Sequence, residues 1–232
     1  MNRCLACHGT YYDQPGWRRL LMIEQPSQIC QTCESKLVLI SGCRCIKCSR
    51  SMDQLSQTYR KGEQCLDCWR WGQQGETIWK NLSIYEYNAF LKEWLATFKF
   101  RGDAIIASFF TNKLANIYEK HFQGYVPVPI PLSKERLCAR GFNQSSLLMK
   151  GWADAVEMLV RTEGEKQSKK NRKQRIRQFK QNPFLLKDGI QFNGENILLI
   201  DDIYTTGTTV RQAARVLKEK GAAKVASLTV AR

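Results

Sequence analysis

Two adjacent carboxylates, then a run of hydroxyls around one glycine, form the densest chemistry in this 232-residue chain: Asp201, Asp202, Ile203, Tyr204, Thr205, Thr206, Gly207, Thr208 and Thr209. Paired carboxylates can accept hydrogen bonds from a vicinal diol. Hydroxyls and backbone N–H groups just ahead of a helix favour a phosphate, because the helix N-terminus carries partial positive charge. Gly207 lets the backbone approach the anion closely. The spacing therefore predicts a sugar-phosphate site in which Asp201 and Asp202 meet the ribose hydroxyls and Thr205, Thr206, Gly207, Thr208 and Thr209 hold the phosphate.

The neighbouring residues supply the elements such a site needs. Ile197 to Ile200 form a short continuous apolar run, the mark of a strand buried on both faces of a parallel sheet. Val210, Ala213, Ala214 and Leu217 then recur at helical spacing, and Gly221 supplies a stop. The segment reads strand, loop, helix, so the aspartates fall at the carboxyl edge of a strand, where open α/β sheets bind ligands.

A second chemistry lies in the cysteines. Four CxxC pairs follow one another, Cys4 with Cys7, Cys30 with Cys33, Cys45 with Cys48, and Cys65 with Cys68. Tetrahedral zinc takes four such sulfurs, so eight ligands predict two structural zinc sites with no position left for a catalytic water. Sequential pairing keeps the loops short, whereas interleaving joins pairs one and three and pairs two and four; the spacing leaves both arrangements open. His8 is a spare candidate ligand and Cys43 a bystander. Nine of the ten cysteines precede residue 69. This divides the chain into a zinc-binding double CxxC module at 1–75 and an α/β domain at 76–232. The head is poor in aliphatic residues, so metal supplies much of its folding free energy.

Lys and Arg total 36 against 21 Asp and Glu, a formal charge of +15 that favours polyanions as partners. Eight of these cations, and no acid, lie from Lys166 to Lys180. Within that run Lys169, Lys170, Arg172, Lys173 and Arg175 are the candidate nucleic-acid contacts; a solvated run without a partner is the bland alternative. Residues 126–130 alternate valine with proline, as in a stiffened or edge strand, and open into a basic loop. There Lys134, Arg136 and Arg140 are candidates for a pyrophosphate arm. Phe90, Trp94 and Phe98, with Leu91 and Leu95, form a helical stripe expected in the core, while Lys99 and Arg101 are possible surface contacts. Residues 104–118 and 145–158 and a strand over 224–230 complete an alternating α/β pattern. The first residues lack a secretory h-region and no stretch has the length of a membrane span, so a cytoplasmic, non-integral protein is expected.

The string IDDIYTTGTT resembles the phosphoribosyl pyrophosphate signature of type I phosphoribosyltransferases. The resemblance implies that fold and Mg(II) bound with phosphoribosyl pyrophosphate. The cysteine-rich head, FKFRGD, VPVPIPLSKER, RGFNQ, EKQSKK and IDDIYTTGTT, in that order over nearly the whole chain, resemble the ComF family of bacterial competence proteins of the Gram-positive type. The likeness implies handling of incoming single-stranded DNA in natural transformation, at the inner face of the membrane, with a competence helicase and recombination proteins as partners. In ordinary phosphoribosyltransferases a basic loop closes over the pyrophosphate, and residues 167–177 hold the corresponding place here. Active phosphoribosyl transfer to an unknown acceptor, and sensing of phosphoribosyl pyrophosphate without turnover, are the alternatives.

Overall fold

The structure is a computed structural model that describes residues 1–12, 16, 17, 21, 26–53, 55–75, 77–100, 103–162 and 182–232. In the cysteine-rich head, β1 (Asn2–Arg3) pairs with β2 (Thr10–Tyr11), and helix α1 (Gln31–Glu34) carries Cys33. Next come β3 (Arg60–Lys61) paired with β4 (Gln64–Cys65), and then α2 (Leu66–Gly72), which carries Cys68. These elements are too short to enclose a core of their own, and the thiols take that place.

The remainder runs β5 (Asn81–Tyr85), α3 (Ala89–Phe100), α4 (Ile106–His121), β6 (Val126–Pro129), α5 (Lys134–Arg140) and α6 (Gln144–Leu147). It closes with β7 (Leu159–Arg161), β8 (Phe184–Leu186), β9 (Asn196–Ile203), α7 (Thr208–Glu219) and β10 (Lys224–Ala231). Strands order β5-β10-β9-β6 in one parallel sheet. β7 and β8 form a separate antiparallel ribbon.

Strand period explains how one apolar run serves two cores. Ile197 and Leu199 pack with α7 on one face, whereas Leu198 and Ile200 pack with α3 and α4 on the other. Phe98, Leu91, Leu95 and Trp94 are buried on that second face, so the aromatic stripe is core as expected. β6 lies at the sheet edge, where Pro127 and Pro129 do not interrupt a second ladder. Over 145–158 the helical pattern yields only the short α6. Gly151 turns the chain through the left-handed region, at φ +91°, and ends the helical stretch.

Each cysteine cluster joins a different face. Cys4 and Cys33 belong to the core beneath α3 and α4, while Cys45, Cys48, Cys65 and Cys68 belong to the core beneath α7. A buried polar ladder docks the second cluster. Asn81 donates to Ser83 Oγ at 2.8 Å and accepts from Ser227 Oγ at 2.8 Å, and its carbonyl accepts from Ser49 Oγ at 2.8 Å. The Ser227 bond crosses from β10 to β5 and the Ser49 bond reaches into the head, so the ladder sets register as well as contact. No helix among the described residues is long and apolar enough to cross a membrane.

Candidate sugar-phosphate site and thiol clusters

The predicted site residues gather at the carboxyl edge of β9. Asp201 and Asp202 are consecutive on the strand, so their side chains take opposite faces. Asp202 is buried on the α3 side, where the Lys99 ammonium forms an ion pair with its carboxylate. Lys99 is thus part of the site rather than a free surface contact, and Arg101 lies outside the described residues. Burial, then the neighbouring Asp202 charge, push the Asp201 carboxyl up to about 7, with Lys99 opposing them. Asp201 therefore holds its proton to higher pH than an exposed aspartate does.

Above Asp201 stands an arginine cluster. Arg136 and Arg140 lie four residues apart on α5, hence on one helix face. Arg161 enters from β7, over the Phe184 ring at 5.1 Å. Burial, then Arg136, with Asp201 opposing, bring the Arg161 guanidinium down to about 10. Arg140 is lowered in the same way by burial, with Asp202 opposing, and donates to Gln144 Oε1 at 2.8 Å. Three guanidinium groups that press on one another concentrate positive charge beside the two aspartates. Lys134 is exposed at the start of α5, and no contact joins it to this cluster among those described.

The loop after β9 turns as its composition requires. Gly207 sits at φ +78° and caps α7, and a methyl group there would come within 2.2 Å of the Tyr204 hydroxyl. Only glycine fits both constraints. Thr206 Oγ1 and Thr208 Oγ1 lie 2.8 Å apart, at the N-terminal mouth of the helix. Trp71 Nε1 donates to the Thr206 carbonyl at 2.9 Å and Arg232 Nη1 to the Thr205 carbonyl at 2.7 Å, which fastens the loop from behind.

Lys169, Lys170, Arg172, Lys173 and Arg175 lie outside the described residues. The described residues on either side of that segment bond to each other. The Thr162 N–H and Oγ1 donate to the Pro183 carbonyl at 2.8 and 3.1 Å, closing the ribbon one residue beyond Arg161. Arg161 and the two fastening residues escaped the sequence reading, which offered Lys99 only as a possible surface contact. Arg161 is a single cation after two apolar residues, and only the FKFRGD string hinted at Lys99.

The thiols form two groups in sequential order: Cys4, Cys7, Cys30 and Cys33, and Cys45, Cys48, Cys65 and Cys68, with sulfurs within 4.8 Å of one another in each. The interleaved pairing is thereby removed. Cys7 Sγ lies 3.9 Å from Cys30 Sγ, and Cys48 Sγ 3.7 Å from Cys65 Sγ. The Cys30 N–H donates to Cys4 Sγ at 3.3 Å and the Cys65 N–H to Cys45 Sγ at 3.3 Å. Backbone donors on sulfur favour thiolates, so the donor sets fit zinc. His8 and Cys43 belong to neither group.

Residues 154–232 match the phosphoribosyl transferase domain, the stretch that holds the ribbon, the aspartates and the phosphate loop. Over its full length the chain resembles competence protein ComFC of Bacillus subtilis, at 38% identity over 99% of this chain and 94% of that one. Competence protein ComFC of Streptococcus pneumoniae is 32% identical over 99% of this chain and 100% of its own. The DNA utilization protein YhgH of Salmonella typhi is 27% identical over 85% and 93%. Two competence proteins, at 38% and 32% identity, match 99% of this chain, and the chain belongs to the ComF family of competence proteins.

Proposed function

We propose that this protein handles incoming single-stranded DNA during natural transformation, and that its carboxyl-edge pocket recognises a phosphoribosyl pyrophosphate-type ligand together with Mg(II). The relatives' names support the setting, since two are competence proteins and a third is a DNA utilization protein. The observation that carries the DNA reading is the ribbon. One strand ends at Arg161 and the other begins at Phe184, so the eight-cation segment is flanked in sequence by residues that pair beside the proposed phosphate pocket. A loop that only closed on pyrophosphate would need one or two. The surplus suits backbone phosphates, whose neutralisation releases counterions. Changing Lys169, Lys170, Arg172, Lys173 and Arg175 to Ala tests this through single-strand affinity at several salt concentrations; wild-type affinity and salt slope in the variant would sink the assignment.

In the pocket, Asp201 and Asp202 accept the ribose hydroxyls, Thr205 to Thr209 take the 5′-phosphate, and Arg136, Arg140 and Arg161 neutralise pyrophosphate. Lys134 joins them when ligand draws α5 inward. Mg(II) is carried mainly by the ligand, whose adjacent phosphate oxygens supply its hard donors. Zinc in each thiol group supplies a covalent-strength cross-link and no chemistry, all four positions being taken by sulfur. The same constellation favours a second reading, transfer of the phosphoribosyl group to an acceptor, because three guanidinium groups are suited to a departing pyrophosphate. Pyrophosphate release with candidate acceptors separates turnover from sensing. The reading keeps the division at residue 75 as one of chemistry, metal before it and anion binding after it. It places the protein in the cytoplasm, at the membrane only through a helicase and recombination partners.

A further inference from the structure

The phosphate loop is held by its carbonyl side, and the residues that hold it lead to one cysteine cluster. Arg232 Nη1 donates to the Thr205 carbonyl at 2.7 Å and to the Tyr204 carbonyl at 3.4 Å. The same guanidinium donates through Nε to Cys48 Sγ at 3.3 Å. Trp71 Nε1 donates to the Thr206 carbonyl at 2.9 Å. Trp71 stands three residues after Cys68 on α2, on the helix face that Cys68 also occupies. Arg211 stacks over the Trp71 ring at 5.2 Å and donates to the Tyr204 hydroxyl at 3.4 Å, closing the back of the loop.

Peptide geometry turns these contacts into an aim. Across a trans peptide the C=O of one residue and the N–H of the next point in opposite directions. Three successive carbonyls, of Tyr204, Thr205 and Thr206, are drawn toward the second cluster. The N–H groups of Thr205, Thr206 and Gly207 are therefore turned away from it, as free donors for an anion. Four thiolates on one divalent ion leave a net charge of −2 beside Arg232, and the same ion ties Cys68, hence α2 and Trp71, into place. Loss of the ion removes Arg232's anionic partner and the tether of α2 in one step. Among the described residues the first cluster has no such link. Its nearest comparable contact, Trp94 Nε1 donating to the Leu5 carbonyl at 3.2 Å, joins it to the α3 core.

We propose that the second cysteine cluster is a strut for the phosphate loop, with Arg232 and Trp71 as positioning residues through which its metal sets the aim of the loop's N–H groups. Sugar-phosphate affinity then depends on the second metal and not on the first. The affinity part rests on the pocket reading above; the positioning part does not.

The experiment compares Arg232→Gln and Trp71→Phe with the wild type and with Trp94→Phe, each as the full-length zinc-loaded protein. Zinc content and Tm are measured first, then hydrogen exchange of residues 204–209 without ligand, then calorimetric binding of phosphoribosyl pyrophosphate with Mg(II). The two loop-side variants should keep both zinc ions, exchange faster in 204–209 than elsewhere, and bind about 5- to 30-fold more weakly, the range expected for one or two lost hydrogen bonds. Trp94→Phe should lower Tm with loop exchange and affinity unchanged. Cys48→Ser should reproduce the loop effect and Cys7→Ser should not. Wild-type loop exchange in both Arg232→Gln and Trp71→Phe would overturn the strut, as would an equal loss of affinity in Trp94→Phe. If the wild type fails to bind phosphoribosyl pyrophosphate, the pocket reading falls, and loop exchange alone decides the strut.

Discussion

Asp201 concentrates the electrostatics of the pocket. Burial, then the neighbouring Asp202 charge, push its carboxyl up to about 7. Between the usual carboxylate range and pH 7 the folded chain therefore holds a proton that the unfolded chain has lost, so this group's contribution to stability falls as pH rises through that window. Ribose hydroxyls donate more strongly to a carboxylate than to its acid, so sugar-phosphate affinity should rise with pH up to about 7. Asp202→Asn removes the repelling charge and should move that rise to lower pH; calorimetry across pH values in two buffers reads both the affinity and the released proton. Gly207→Ala meets a left-handed φ and the Tyr204 hydroxyl together, and should cost about 1–3 kcal/mol in a thermal melt. The aspartates and threonines were legible because their chemistry is contiguous in sequence. Lys99, Arg161, Trp71 and Arg232 were not, because each acquires its role from a partner far along the chain, as Trp71 does from Thr206.

At the scale of elements, strand period and punctuation carried most of the fold. The apolar run of β9, the prolines of edge strand β6 and the spacing of α7 each specify their own place. The ribbon of β7 and β8 was illegible. Its strands are three residues each, separated by the basic segment, and only tertiary pairing joins them. That ribbon makes the DNA prediction quantitative. Each phosphate neutralised on a single strand contributes about 0.7 to the slope of log affinity against log salt, so removing five cations should flatten it by up to about 3.5. Binding isotherms at four salt concentrations measure the slope. On the opposite side of the sheet, Phe98→Ala empties a fully buried position of α3 and should cost about 3–5 kcal/mol in denaturant unfolding.

Over the whole molecule, the two thiol clusters are built into the two faces of one sheet, so the head and the α/β body share cores. The cysteine spacing predicted two four-thiol groups suited to zinc, but not that the second would sit behind the loop after β9. That placement depends on Ser49 of the head, whose Oγ donates to the Asn81 carbonyl, and on Ser227 holding Asn81 from β10, contacts with no periodic signature. Removing zinc with a strong chelator should therefore lower the Tm of the whole chain in one transition rather than melt a separate head, and calorimetry should record a single peak. The account turns on the carboxyl-edge pocket as a sugar-phosphate site. Its most direct test is titration of phosphoribosyl pyrophosphate with Mg(II) into the wild type and into a chain carrying Asp201→Ala and Asp202→Ala. Saturable one-to-one binding that the double variant loses is the predicted result; equal binding by both proteins, or none by the wild type, would contradict it.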